Sequence, residues 1–328
     1  MRRLFLWFLF LAAAAAGGAW LYISQPMVWD GPAKEFTLPP GSTARSAAKL
    51  MAQEGVPIHP RVFAWYAQLT GKAGQIKAGS YRIESGIQLP TLLMRLVRGD
   101  FVEYTLTIFE GWNVHLLRRA IADNVALEDD ISKLSDAELL TLVGASETHL
   151  EGLFFPDTYR FAKYSKASLV LKRAYQIQQE KLAQAWENRA ADLPLESAYD
   201  ALILASIVEK ETGVAGDRAR IAAVFINRLR KGMMLQTDPT VIYGLGQKFD
   251  GNLRKRDLLT DNPYNTYTRA GLPPTPISLP GTAALNATLH PAQTDDLFFV
   301  GRGDGSSFFS ATLDEHNSAV DKYQRKRK

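Results

Sequence analysis

The 328-residue sequence contains no cysteine. That absence excludes disulfide staples, a lipidated N-terminal cysteine, thiol catalysis and cysteine metal centres together. An excess of one charge is missing too. The formal net charge is +4, and six basic residues sit at the ends: Arg2, Arg3, Arg325, Lys326, Arg327 and Lys328. The rest is slightly acidic, which argues against a nucleic-acid partner. The five histidines, His59, His115, His149, His290 and His316, are scattered, with no HExxH and no close pair. No metal site and no cofactor are expected from them. GxSxG, Walker A and GxGxxG motifs are also lacking, which removes support for serine-hydrolase, nucleotide and dinucleotide chemistry. Carboxylates and hydroxyls remain.

Long apolar runs are absent except for Leu4 to Ile23, 20 residues without a charge. At about 1.5 Å per residue this run matches the hydrocarbon thickness of a bilayer, so it reads as one transmembrane helix. Arg2 and Arg3 precede it and no lysine or arginine follows until Lys34. The N-terminus is therefore expected in the cytoplasm and the body beyond Gln25 on the far side. A cleaved signal peptide is the alternative, since Ala12 to Ala16 offers small residues for a peptidase. Either way the body is expected outside the cytosol.

Beyond this segment the length suggests two folded units. Pro26 to Pro32 reads as a linker. Glu35 to Leu38 reads as a strand, Ser42 or Thr43 as the cap of a helix that stops at Gly55, Arg61 to Leu69 as a second helix, and Ala78 to Ile83 as a returning strand. This is β-α-α-β. The order recurs with a strand at Tyr104 to Phe109, a helix from Asn113, a helical insertion and a return through Phe154 to Phe161, which suggests a weak internal duplication. A long amphipathic helix follows within Ser165 to Ala191, then helices near Ser197 to Thr212 and Asp217 to Lys231. Gln236 to Gly281, rich in Pro, Gly, Asn and Thr, reads as loops, before a short helix around Ala283 to Leu289, a hairpin around Gly301 to Gly305 and a C-terminal helix from Leu313.

The sharpest chemical signal is Ala205 to Thr212, ASIVEKET. On a helix Glu209 and Glu211 point about 200° apart, so they cannot share a face. Three, four and seven residues before Glu211 stand Val208, Ile207 and Leu204, so Glu211 prolongs an apolar stripe, whereas Glu209 follows Ser206 and Ala205. A carboxyl on an apolar stripe loses hydration when charged. Its pKa rises, and it can remain a proton donor near neutrality. The competing reading is a last-turn residue held by Arg218 or Arg228. Downstream, Gln236 to Gly244 and Tyr264 to Tyr267 gather amide, hydroxyl and aromatic groups. These suit a sugar, although Asp-Pro and Asn-rich runs also favour plain turns.

Several ordered motifs resemble one family: ASIVEKET, VFINRL at Val224 to Leu229, LQTDPTVIYG at Leu235 to Gly244, Tyr264 to Tyr267 with Gly271 to Pro274, Pro280-Gly281, His290 to Ala292 and LFFPDTY at Leu153 to Tyr159. The chain resembles, from about Phe36 to its C-terminus, the endolytic murein transglycosylases, the MltG or YceG-like proteins. The resemblance implies an α+β chain with an N-terminal transmembrane helix, LysM-like β-α-α-β modules and a mixed α/β catalytic domain. The expected divisions are 1–28 for tip, anchor and linker, 29–165 for the LysM-like region and 166–328 for catalysis. It implies a lyase of the inner membrane, with its catalytic region periplasmic. This enzyme would cut MurNAc–GlcNAc β-1,4 bonds of nascent peptidoglycan to leave 1,6-anhydro ends, terminate glycan elongation, and work beside peptidoglycan synthases. The family's catalytic glutamate falls on Glu211. Gln236, Thr237, Asp238, Thr240, Tyr243, Tyr264, Asn265, Thr266 and Tyr267 match motifs expected to line the cleft. Thr275 stands where glycine is common. A hydrolytic muramidase using Glu211 with Asp238, and a noncatalytic peptidoglycan-binding scaffold, are the alternatives.

Overall fold

In the structure, a computed structural model that describes residues 2–325, the cap signals of the sequence become hydrogen bonds. The chain forms two units, Met1–Thr105 with Arg160–Ser165, and Leu106–Tyr159 with Lys166–Lys328. Residues 106–159, grouped above with the region before 165, thus belong to the second unit.

The first unit contains α1 (Arg2–Ser24), β1 (Pro26–Met27), β2 (Lys34–Leu38), α2 (Ala44–Gln53), α3 (Pro60–Leu69), β3 (Gly79–Ile83), β4 (Ile87–Gln88) and α4 (Leu89–Arg98), and β5 (Glu103–Thr107) starts in it. Thr43 caps α2 in a reciprocal box with Ser46, satisfying backbone donors that a helix start otherwise leaves open. β2 and β3 pair antiparallel from Lys34↔Ile83 to Leu38↔Gly79, so the β-α-α-β reading holds for these elements. Phe36 and Tyr81, opposite one another in the ladder, stack at 5.7 Å over a core with Leu38, Met51 and Phe63. The sequence reading passed over α4. Its Leu89, Leu92, Leu93 and Leu96 are all buried, the i, i+3, i+4, i+7 spacing of one helix face. Pro90 stands in its first turn and Gly99 ends it at φ 80°. Among the described residues no helix is long and apolar enough to cross a membrane. The anchor read at Leu4 to Ile23 falls in α1, where most side chains up to Ala16 lie outside the described residues.

The second unit takes α5 (Val114–Ala122), β6 (Leu127–Glu128), α6 (Asp136–Val143), β7 (Thr158–Ala162), β8 (Ser165–Lys166) and α7 (Ala167–Glu187), where β7 and β8 run across the division of the chain. It continues with α8 (Ala198–Glu211), α9 (Ala215–Arg230), α10 (Asp238–Leu245), α11 (Lys255–Leu259), α12 (Thr282–Leu289), β9 (Phe298–Gly301), β10 (Ser307–Ser310) and α13 (Leu313–Val320). β5 pairs with β7, so β5-α5-β6-α6-β7 resembles the order β2-α2-α3-β3 with the short β6, which pairs with β8, inserted.

The helix that carries ASIVEKET is the centre of this unit. Ser197 caps α8 in a box with Asp200, and every residue from Ala201 to Val208 is buried. A helix apolar on all sides must be covered on all sides. α7, α9, α10 and α12 pack against it. Leu285 and Leu289 of α12, and Ile221 to Ile226 of α9, are buried with it.

One expectation is corrected. Asp238 to Leu245, read as loop, is a helix. Proline in the first turn lacks only an N–H that a helix start leaves unbonded, and its fixed φ suits the turn, so Asp-Pro opens a helix as readily as it makes a turn. The hairpin is present as read, with β9 and β10 antiparallel from Ser307↔Gly301 to Ser310↔Phe298.

Candidate active site

Buried α8 ends in three charged residues, and the three go different ways. Lys210 is exposed and donates to the Gly111 carbonyl at 3.2 Å. Glu209 accepts from the Gly281 amide at 2.9 Å, and burial raises its pKa. Glu211 accepts a hydrogen bond from the Thr237 hydroxyl. It lies on the wall of a cavity of about 580 Å³, shared with Arg228, Gln236, Thr237, Asp238, Tyr267, Phe298, His316 and Asn317.

Loss of hydration pushes the Glu211 carboxyl up to about 7. The Thr237 hydrogen bond opposes this, the Asp238 charge adds to it, and the Arg228 charge opposes it. Glu211 is thus buried with an arginine charge nearby, but that arginine does not hold it. No ion pair joins Glu211 and Arg228 among the described residues. Arg228 spends its hydrogen bonds on backbone, donating to the carbonyls of Leu297 at 2.7 Å, Leu235 at 2.8 Å and Met234 at 3.2 Å. It thereby ties α9 to the segments bearing Phe298 and Gln236.

The Gln236-Thr237-Asp238 segment is held in an unusual shape. Gln236 has φ 50°, a left-handed conformation that a non-glycine residue adopts only when its surroundings impose it. Its N–H donates to the Thr266 carbonyl at 3.0 Å, and the Thr237 N–H donates to the Thr266 hydroxyl at 3.1 Å. Thr240 donates to the Thr237 carbonyl at 2.8 Å and shares a hydrogen bond with Thr266 at 2.9 Å. Asn265, fully buried, donates to the carbonyls of Thr260 and Leu258 at 2.7 and 3.1 Å. Tyr267 donates to Asp238 at 2.6 Å.

The residues picked out in the sequence therefore divide three ways. Gln236, Thr237, Asp238 and Tyr267 line the Glu211 cavity. Thr240, Asn265 and Thr266 are buried and fasten those residues in place. Tyr243 and Tyr264 line a second cavity of about 1030 Å³, where Tyr243 donates to Glu151 at 3.1 Å and Tyr264 shares a hydrogen bond with Thr275 at 2.9 Å. The sequence reading missed Phe298, His316 and Asn317, because nothing local in a hairpin strand or a terminal helix marks a cavity wall. It also missed Glu151, whose burial raises its carboxyl to about 7 against hydrogen bonds from the Val114 amide and Tyr243. A signal existed there: a single acid inside Leu150-Glu151-Gly152-Leu153-Phe154. Among the described residues no cluster of histidines and carboxylates could hold a metal ion.

The description of the YceG-like family fits residues 36–322. The chain belongs to the YceG-like family. Among similar proteins, the endolytic murein transglycosylase of Bacillus subtilis (strain 168) is 32% identical over 328 residues, covering 94% of this chain and 90% of that one. The endolytic murein transglycosylase of Streptococcus pneumoniae serotype 2 is 25% identical over 352 residues, 95% of this chain and 63% of that longer protein. In structure the YceG-like chain is similar to the putative yceG-like protein of Listeria monocytogenes, with a TM-score of 0.55 at 28% identity over 87% of this chain and 98% of that one. The match from residue 36 onward takes in both the β-α-α-β elements and the Glu211 cavity of this YceG-like chain.

Thr237→Val tests the grip on Glu211. The valine removes a hydrogen bond that favours the carboxylate, so the Glu211 pKa should rise further. A pH–rate profile is expected to show the alkaline limb displaced upward, with turnover about tenfold lower from the lost hydrogen bond. An unmoved limb would show that the Thr237 hydroxyl does not govern Glu211.

Proposed function

We propose that this YceG-like chain is an endolytic lytic transglycosylase of murein in which Glu211 is the catalytic acid and base. The carrying observation is the Glu211 carboxyl, raised to about 7 by burial, at the wall of a cavity fringed by amide, hydroxyl and aromatic groups. Such a group is part protonated near neutrality, which suits donation and acceptance by the same carboxyl. Protonated Glu211 gives its proton to the glycosidic oxygen as that oxygen leaves C1 of the muramoyl sugar. The resulting carboxylate takes the proton of the same sugar's C6 hydroxyl as O6 bonds to C1. One C–O bond is exchanged for another, Glu211 is restored, and no water is consumed.

Ordinary glycosidases divide these tasks between two carboxylates. Here Asp238 is held by Tyr267 and its charge raises the Glu211 pKa, so it acts as a positioning residue. Gln236, Thr237 and Tyr267 would contact the sugar. Mass spectrometry of digested glycan strands decides between lyase and muramidase. The expected products end in 1,6-anhydromuramic acid, one water lighter than hydrolytic ends. Reducing ends alone would make the protein a muramidase, and no cleavage would leave the scaffold reading.

The remaining assignments belong to the same proposal. A LysM-like role for the first unit is supported by paired β2 and β3 around α2 and α3, and by a cavity of about 800 Å³ with Thr43, Arg61, Trp65 and Gln68 on its walls. Anchorage in the inner membrane with the catalytic region periplasmic is supported by the run from Leu4 to Ile23 and by Trp7, Phe10, Leu11 and Trp20, which α1 leaves exposed. An enzyme so placed would meet strands as synthases make them, and cleavage within a strand would end its growth.

A further inference from the structure

Two pairs of consecutive residues straddle the two cavities of the second unit. Glu211 and Asp238 face the smaller one, and their neighbours Lys210 and Pro239 face the larger. The last turn of α8 and the first turn of α10 thus form a partition. A sugar whose C1 lies at Glu211 would have the larger cavity on the far side of that partition. In murein that sugar carries a peptide, joined through a lactyl ether to O3 of the very ring whose C1 bond breaks. The peptide leaves the ring beside the reaction and bears free carboxylates.

We propose, resting on the transglycosylase reading, that the larger cavity seats the acidic stem peptide of the muramoyl sugar being cleaved. Its size of about 1030 Å³ exceeds that of the sugar cavity, at the upper end of what a compact ligand site offers. Its charges are arranged for an anion. Arg118 is neutralised by Asp136 at 2.8 Å. Lys210, His115 and His149 line the cavity as exposed side chains, and none forms a close ion pair among the described residues, although the Lys210 charge also acts on Glu209. Lys210 spends one donor on the Gly111 carbonyl and keeps two for a ligand carboxylate. The wall behind is rigid: Tyr243 and Tyr264 meet edge to face at 4.8 Å, and Glu151 holds Tyr243 and the α5 start. A neutral glycan strand continuing into this space would leave the exposed Lys210 ammonium without a charged ligand.

The probe is D-lactyl-L-alanyl-γ-D-glutamyl-L-lysine, with a counterpart whose carboxyls are amidated, titrated calorimetrically into the full-length Glu211→Gln protein. The free acid is expected to bind. Amidation of the probe, or Lys210→Ala in the protein, is expected to weaken binding about tenfold, and chitotetraose should leave the peptide bound. His149→Ala supplies a second variant at an exposed position. Equal binding of acid and amide, no binding, or indifference to both Lys210→Ala and His149→Ala would overturn the proposal. Displacement by chitotetraose would overturn it in favour of a glycan subsite. Failure of the transglycosylase reading has a separate signature, since the unmutated protein would then yield no anhydro ends whatever the peptide does.

Discussion

Glu211→Gln is expected to lower turnover on glycan strands by about 10³-fold, the scale of a lost general acid and base, while strand binding and fold persist. The amide is close to isosteric and can still accept from Thr237, but it can neither give nor take the proton. Production of anhydro-ended fragments reads the loss, and co-sedimentation with murein reads the binding. Activity within tenfold of the parent would remove Glu211 from the chemistry. The same carboxyl shapes the pH dependence. In the proposed mechanism its protonated form starts the reaction, so with a pKa of about 7 the rate should fall about tenfold per pH unit well above that value. Glu209→Gln is the control: Glu209 faces the Gly281 amide rather than the Glu211 cavity, and the alkaline limb should stay in place.

The second large effect is on stability. Burial raises Glu211 and Glu151 from 4.5 to about 7 in the folded protein. A raised folded pKa means that, between the two values, the folded chain holds a proton that the unfolded chain has released. Stability from this source is fully present below about 4.5 and is lost as pH rises through about 7. The loss is at most about 3 kcal/mol for each carboxyl. Urea unfolding should therefore show a decline from pH 5 to pH 8 that becomes shallower in Glu211→Gln and shallower again when Glu151→Gln is added, with buried Glu209 supplying part of the slope that remains. The carboxyls held low by partners, such as Asp261 at about 2 beside Arg269, act on the acid side and leave this window alone. A flat or rising curve between pH 5 and pH 8 would show that these two carboxyls remain hydrated in the folded state.

What was legible in the sequence followed short-range physics. Thr43 and Ser197 announce helix starts because a cap is a contact between residues three apart, and α8 and α9 announce themselves by apolar content. Two local readings went astray. α4 was overlooked although its leucines keep helical spacing, and α10 was hidden by Asp-Pro, which is turn and helix-start chemistry alike. At the site, the stripe argument chose Glu211 on one face of α8, yet the helix is buried on every face and burial raises Glu209 as well. The distinction between the two carboxyls lies in what each faces: a backbone amide for Glu209, a cavity with the Thr237 hydroxyl for Glu211.

By itself the sequence determined the order of elements, the missing thiols and the placing of an acid at the end of an apolar helix, because composition, period and capping act within a few residues. Tertiary structure alone decided which groups share a cavity. Phe298, His316 and Asn317 share a cavity with Glu211 from about 90 to 105 positions away, and Tyr243 turns from it toward Glu151. Neighbours so distant along the chain are set by how helices pack around α8, and the desolvation that raises the pKa of an ordinary glutamate exists only once that packing is complete.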